Sequence, residues 1–458
     1  MKSRKKKKEF YTEYTARNAL KNGSFIVRLS AIVFGLGCLV HKQIAKGILY
    51  LTSEILLIVY MVQTGFYNLS KFRTLADVEQ QKVWNEAKSL YEYVDGDRSL
   101  IILLYGIVTL SLILVFFLIA KSSLKQAYRL ECQSKKGGQI LTLKQELKEL
   151  LNGNLHITLL TFPVLGVLMF TILPLVFMIS MAFTNYSVEG NKLVLFDWVG
   201  LENFRKIFDF GDSLGQTFWS VFGWTMVWAV VATFSNYILG MLLALFINWK
   251  EIRAKKMWRF CFALTVAIPH FVTLLIIKSM LQPEGAVNIL LRNLGLIGAT
   301  QSLPFFTDAT WARVVVILIN IWVGVPYTLL QVTGILQNIP TELYEAARVD
   351  GAGPIVTFMK ITLPYMLFVT TPYLITTFTG NVNNFNVIFL TTEGLPRSVG
   401  STAGKTDLLI TWLYKLTIEN QYFDVGAVVG IMTFVTLTIV SLVTFTFSGS
   451  NRNEEAFR

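Results

Sequence analysis

Eight stretches of this chain are each long and apolar enough to cross a lipid bilayer, and that constrains the fold more than any other feature. A helix rising 1.5 Å per residue needs about 20 apolar residues to traverse the hydrocarbon layer. The stretches are Ile44–Phe66, Leu100–Ala120, Ile157–Thr184, Phe218–Asn248, Trp258–Leu281, Ala312–Leu336, Thr362–Leu390 and Phe423–Phe447. In lipid each backbone N–H and C=O must find its partner within the protein, so such runs become helices. Charged residues make up 15% of the 458, against about a quarter in a soluble domain. The expected class is all-α: a polytopic membrane protein of about eight transmembrane helices. That reading excludes a cytosolic globule and a disordered chain. A further run, Phe25–Val40, is too short to span and contains Arg28, so we expect it to lie at the interface or re-enter the membrane.

The net charge of +12 would suggest nucleic acid in a soluble protein. Here the basic residues flank the apolar runs instead. Lys2, Arg4, Lys5–Lys8, Arg17 and Lys21 precede the first span, and Lys121, Lys125, Arg129, Lys135, Lys136, Lys144 and Lys148 follow the second. Lys250, Arg253, Lys255 and Lys256 follow the fourth, whereas the loop 282–311 holds only Arg292. The positive-inside rule then places both termini in the cytoplasm, with loop 67–99 as a weak exception. Lys5–Lys8 serves as a topology anchor that can touch anionic membrane lipid. Cys38, Cys132 and Cys261, and His41, His156 and His270, are scattered, so no disulfide framework or metal site is expected. Gly400–Thr406 looks like a phosphate-binding loop, but its spacing is one residue short and no strand precedes it.

The segment between the sixth and seventh runs carries the strongest motif. Pro340 suits a first helical turn, and Gly351 and Gly353 suit a helix stop. The helix between them would present Glu342, Glu345 and Arg348 to water or a partner, while the small Ala346 and Ala347 permit close approach. Glu345–Ala347, Asp350–Ala352, Phe358, Ile361, Leu363 and Pro364 resemble the EAA signature of ABC-importer permeases. Ile172–Val188, Ala267–Pro269, Trp322–Tyr327 and Asn381–Arg397 are similar to the maltose/maltodextrin-type sugar permeases of that family. The resemblance covers about Ile157 to the C-terminus.

This resemblance implies a six-helix permease core and a coupling helix that docks into an ATPase subunit through Glu345, Ala346, Ala347, Asp350 and Gly351. It further implies a second permease subunit, a pair of ATPase subunits and an extracytoplasmic sugar-binding protein. The chain would hold no cofactor and perform no covalent chemistry, ATP being bound by the partner. The large folded insertion after the third span of the maltose form is missing, since loop 185–217 is short.

The seventh run holds Thr377, Asn381 and Asn384 at i, i+4 and i+7, one face of a continuous helix, with Gly380 beside them. Amides in hydrocarbon are costly unless paired, so this face is expected to look inward. Groups that both donate and accept suit a neutral polyhydroxyl solute, although Asn and Thr also bond helices together. The family resemblance implies a sugar role for Thr377, Gly380, Asn381 and Asn384, with Val323, Gly324 and Tyr327 on the sixth span and Thr273 on the fifth. Gly380 stands where the maltose form has phenylalanine, and Thr377 where it has serine.

The expected organisation is a basic N-terminus with an interfacial segment (1–43), two extra spans with a linker (44–156), and the permease domain (157–458) with its coupling loop at 337–361. The expected function is oligosaccharide import of the maltose/maltodextrin class, driven by ATP hydrolysis in a partner. The alternative is an ATP-independent channel or secondary transporter for a small polar solute. A membrane enzyme would need a clustered nucleophile, base or metal site, and none is evident.

Overall fold

The structure, a computed structural model, describes residues 14–447 apart from 76, 79–80, 86–89, 95, 138–139, 190–191, 194 and 250. The lysine cluster Lys2–Lys8, Lys250 and the tail 448–458 therefore lie outside the described residues. Among those described, seven helices have the length and apolarity to span: Ile44–Lys71, Ser99–Lys135, Leu155–Met181, Ser213–Asn248, Ala309–Leu336, Pro354–Thr391 and Phe423–Thr446. The remaining run is not one helix. Lys255–Ala267 and His270–Met280 meet at 87°. Pro269 supplies no N–H and pushes Ile268 into extended backbone (φ −75°, ψ 129°), which ends the first half. Counting this bent pair as one span gives eight.

The chain divides into two compact units, Met1–Gly200 and Leu201–Arg458. In the first, Phe25–Val40 forms two five-residue helices, Phe25–Leu29 and Leu36–Val40, neither long enough to span. The irregular backbone between them is satisfied by side chains. Glu54 of the first span accepts a bond from Phe34 N–H at 2.7 Å. Ser123 of the second accepts from Gly35 N–H at 2.9 Å and donates to Ser30 C=O at 3.1 Å. Glu54, a carboxylate in an apolar run, is thus a cap for non-helical backbone. Gly35 (φ +78°) crosses Gly47 so closely that a Cβ would lie 2.4 Å from its carbonyl oxygen.

Between the first two spans, Gln81–Asn85 and Leu90–Val94 pair as an antiparallel hairpin, with Trp84 opposite Tyr91. Asp97 ties its base, accepting from the N–H groups of Asp77 and Val78 at 3.0 and 3.1 Å and from Lys71 at 3.3 Å. The third span is different from its neighbours: no residue from Leu155 to Ser180 is buried within the chain.

The second unit is organised around the Ser213–Asn248 helix, the fourth span. Small residues let the sixth span approach it, since a Cβ on Gly240 would fall 2.6 Å from Thr328 Cβ. Two apolar clusters hold the bundle. One contains Trp228, Ala229, Ala232, Val315, Val316, Ile319 and Val382. The other contains Tyr237, Met241, Ala244, Leu329, Val332 and Met366. Where the two clusters meet on the fourth, sixth and seventh spans, polar side chains interrupt the apolar packing: Thr233 and Asn236, Asn320 and Thr328, and Thr377 and Asn381. A belt of polar residues therefore falls at one depth.

Candidate functional site

That belt encloses a cavity of about 290 Å³. Asn236 reaches it from the fourth span and His270 from the start of the second half of the bent pair. Asn320, Val323, Gly324, Tyr327 and Thr328 line it from the sixth span, and Tyr373, Thr377 and Asn381 from the seventh. The lining contains neither carboxylate nor ammonium groups. Hydroxyls, amides and aromatic rings meeting in a concave site suit a neutral hydroxylated ligand.

The hydrogen bonds separate anchoring groups from free ones. Asn381 is buried, donating through Nδ2 to Thr233 Oγ1 at 2.9 Å, while its backbone carbonyl accepts from Trp228 Nε1 at 3.0 Å. Thr328 and Tyr373 share a hydroxyl contact at 3.1 Å. Tyr327 remains 45% exposed. Two buried atoms on the wall have no partner: Asn236 Oδ1 and Asn320 Nδ2.

Of the residues expected from sequence, Val323, Gly324, Tyr327, Thr377 and Asn381 line this one cavity. Thr273 is half-buried beyond its wall. Gly380 is exposed beside the 377/381 face, with nothing within 4 Å of where a Cβ would sit. Asn384 is off the common face because the helix stops at Val382. Its side chain caps the next helix, Phe385–Thr391, accepting from Val387 N–H at 3.2 Å and donating to Asn320 Oδ1 at 3.3 Å. Asn side chains compete with helical backbone bonds, and Asn381, Asn383 and Asn384 in near succession favour such a break. Sequence reasoning missed Asn236, Asn320, Thr328, Tyr373 and His270. A polar residue inside an apolar run was the available signal for Asn236 and Asn320.

The loop between the sixth and seventh spans holds the helix Thr341–Val349, with Glu342 in its first turn and Arg348 in its last, matching the helix dipole. Its end is a full Schellman motif: Ala352 N–H bonds Ala347 C=O at 2.8 Å, and Gly351 N–H bonds Arg348 C=O at 3.1 Å. Gly351 has φ +76°, which explains glycine after Asp350. Tyr344 pins the helix by a 3.1 Å contact to Thr362. Ala347 packs inward, while Glu345, Ala346, Asp350 and Gly351 are exposed. Glu345 and Arg348 border a groove of about 950 Å³ with Tyr344, Leu245 and Ile355. Apolar surface that sequence reasoning overlooked surrounds them, with Val349 88% and Ile355 78% exposed.

The loop that resembled a nucleotide-binding motif is a folded cap. Asp407 and Lys415 form a buried ion pair at 2.7 Å, and Lys415 also donates to Glu393 C=O at 2.8 Å. Gly404 N–H donates to Asp407 at 2.7 Å, so the carboxylate organises this loop and is not free for a ligand.

Comparison with known proteins gives concordant results. Residues 236–452 match the family model of the binding-protein-dependent transport system inner membrane component. The maltodextrin transport system permease protein MdxF of Bacillus subtilis is 34% identical, across 93% of this chain and 96% of that protein. The galactooligosaccharides transport system permease protein GanP of the same organism is 33% identical, across 94% and 99%. A crystal structure of a bacterial ABC transporter importing the acidic polysaccharide alginate contains a chain of the same fold. Its TM-score is 0.55 at 22% identity, covering 68% of this chain and 99% of that one.

Proposed function

The chain belongs to the binding-protein-dependent transport inner membrane components, the permeases of ABC importers, and on that premise we propose that it forms half of an oligosaccharide pathway. The favoured cargo is of the maltodextrin class. The observation that carries this reading is the cavity of hydroxyls, amides and rings, without carboxylate or ammonium groups, where the two apolar clusters meet. Such walls exchange hydrogen bonds with sugar hydroxyls as water is displaced, and offer no carboxylate or ammonium group to neutralise an ion.

Transport energy comes from a partner ATPase that seats on Thr341–Gly351, so this chain itself holds no ATP or other cofactor. The exposed Val349 and Ile355 beside charged Glu345 and Arg348 support such a docking surface. A second permease completes the pathway. The third span, with no buried residue from Leu155 to Ser180, has a face free for it or for lipid. An extracytoplasmic binding protein delivers the sugar, and the charge bias puts both termini in the cytoplasm.

A second cargo, galactooligosaccharide, is favoured by the near-equal similarity to the galactooligosaccharide permease. Proteoliposomes containing this chain, its partner permease, ATPase and binding protein distinguish them. ATP-dependent uptake of labelled maltotriose, uncompeted by galactotriose, is expected. Competition in the opposite sense would assign the second cargo. Undiminished uptake without the ATPase would show an ATP-independent transporter instead.

A further inference from the structure

We propose that Lys278 and Glu393 are positioning residues for transport: their ion pair joins the outer halves of two broken helices into one gate element beside the cavity. This rests on the importer reading above. Both breaks lie at the cavity. The bent pair turns at Ile268 and Pro269, and His270, the first residue of its second half, lines the cavity wall. The seventh span stops at Val382, next to Asn381 of the same wall, and helix resumes at Phe385. Non-helical backbone at Ile268 and Pro269, and at Asn384 (φ −77°, ψ 81°), interrupts both helices. Each outer half can therefore turn about its break without unwinding.

The outer halves, His270–Met280 and Phe385–Thr391, pack against each other on the side of the cavity away from the loop helix. Phe262, on the inner half of the bent pair, belongs to the apolar cluster that includes Tyr344 of the loop helix. Leu274, on the outer half, is buried with Val387 and Ile388 in the other cluster. Beyond that packing, Lys278 Nζ meets Glu393 Oε1 at 2.6 Å. Lys278 stands about 12 Å along the helix from His270.

Glu393 is a junction. Its backbone carbonyl accepts from Lys415, which the buried pair with Asp407 fixes in the folded cap. Its φ is +55°, a left-handed backbone that glycine would adopt more easily, so the carboxylate stands where its side chain is not the conformational choice. Lys278 thus ties the outer half of the bent pair to the seventh span's outer half and to the cap. The two side chains are 28% and 58% exposed, so the pair adds little to stability. Its effect is geometric: without it the outer halves are held by the packing around Leu274, nearer the cavity, and their far ends can swing separately. A gate whose parts move separately lets ATP be hydrolysed without sugar crossing.

The test uses the complete importer in proteoliposomes with its binding protein and maltotriose, and reads sugar moved per ATP hydrolysed. Lys278→Met and Glu393→Gln should each lower this ratio about threefold, the scale of one partly exposed ion pair, with the melting temperature unchanged. The double variant should lose no more than either single one, because both remove the same link. Unchanged ratios in the single variants, or losses that multiply in the double variant, would overturn the proposal. A covalent link gives a second measurement. With Cys38, Cys132 and Cys261 replaced, Lys278→Cys and Glu393→Cys are bridged by a short bis-methanethiosulfonate reagent. The bridge should restore the ratio towards that of the wild type, and reduction should remove the gain. A bridge that arrests uptake would show that the two ends must part, and would overturn the proposal. If the charge-removing variants do not assemble, the cysteine pair, bridged in the membrane before purification, is judged by the same outcomes. Absence of ATP-dependent uptake by the wild type would sink the importer reading itself, and this inference with it.

Discussion

At the level of single residues, the cavity separates groups that hold the bundle from groups left for cargo. Asn381 is the first kind: Asn381→Ala removes the partner of buried Thr233, at a cost of about 1–3 kcal/mol. That variant should lower the thermal stability of the purified complex as well as its transport. Tyr327 is the second kind, being 45% exposed on the cavity wall. Tyr327→Phe should leave the melting temperature unchanged while raising the KM for maltotriose roughly three- to tenfold, the equivalent of about 0.5–1.5 kcal/mol. Equal effects of the two variants on melting would contradict this division. Asp97 offers a pH-dependent case outside the spans. Burial acts to raise its carboxyl, but the N–H of Asp77, the Lys71 ammonium and the N–H of Val78 outweigh this and hold it below its ordinary value. Its contribution to stability is therefore full at neutral pH and is lost as pH falls below the ordinary carboxylate range. Asp97→Asn should flatten that acid limb in a thermal-unfolding series; an unchanged pH profile would remove Asp97 from the account.

Among elements, the loop helix Thr341–Val349 was the most legible in sequence, because its punctuation is local. Gly351 supplies the left-handed residue and Asp350 the C-cap, as the spacing from Pro340 suggests. Broken elements were harder to read. Apolar patterning shows a run long enough to span, but not that Pro269 turns one run through 87°. It likewise shows a polar face through Asn384, but not that the Asn384 side chain competes for backbone and ends the helix. Both failures arise where local backbone chemistry overrides periodicity. The loop helix also gives a prediction. A β-branched residue at φ +76° is strained, so Gly351→Val should distort the Schellman end by about 1–3 kcal/mol. We expect the variant to insert normally and lose most sugar-stimulated ATP hydrolysis in the assembled importer. Full stimulation would show that the helix end does not transmit coupling.

For the whole molecule, the sequence reveals fold class and span number because the bilayer imposes its own length scale. It does not reveal the cavity, since that depends on which depths of the fourth, sixth and seventh spans coincide; Asn236 and Asn320 matter only once the helices are packed. Orientation rests on charge bias, and labelling checks it. With Cys38, Cys132 and Cys261 replaced, a cysteine at Phe10 should react with a membrane-impermeant maleimide only after cells are opened. Reaction in intact cells would invert the topology. The central claim, that the polar belt between the two apolar layers is where sugar crosses, is tested most directly by imaging the importer with cargo inside. The assembled complex, trapped with a non-hydrolysable ATP analogue and maltotriose, should show sugar density against Asn236, Asn320, Tyr327 and Thr377. Sugar density elsewhere, with lipid or water alone in this cavity, would contradict it.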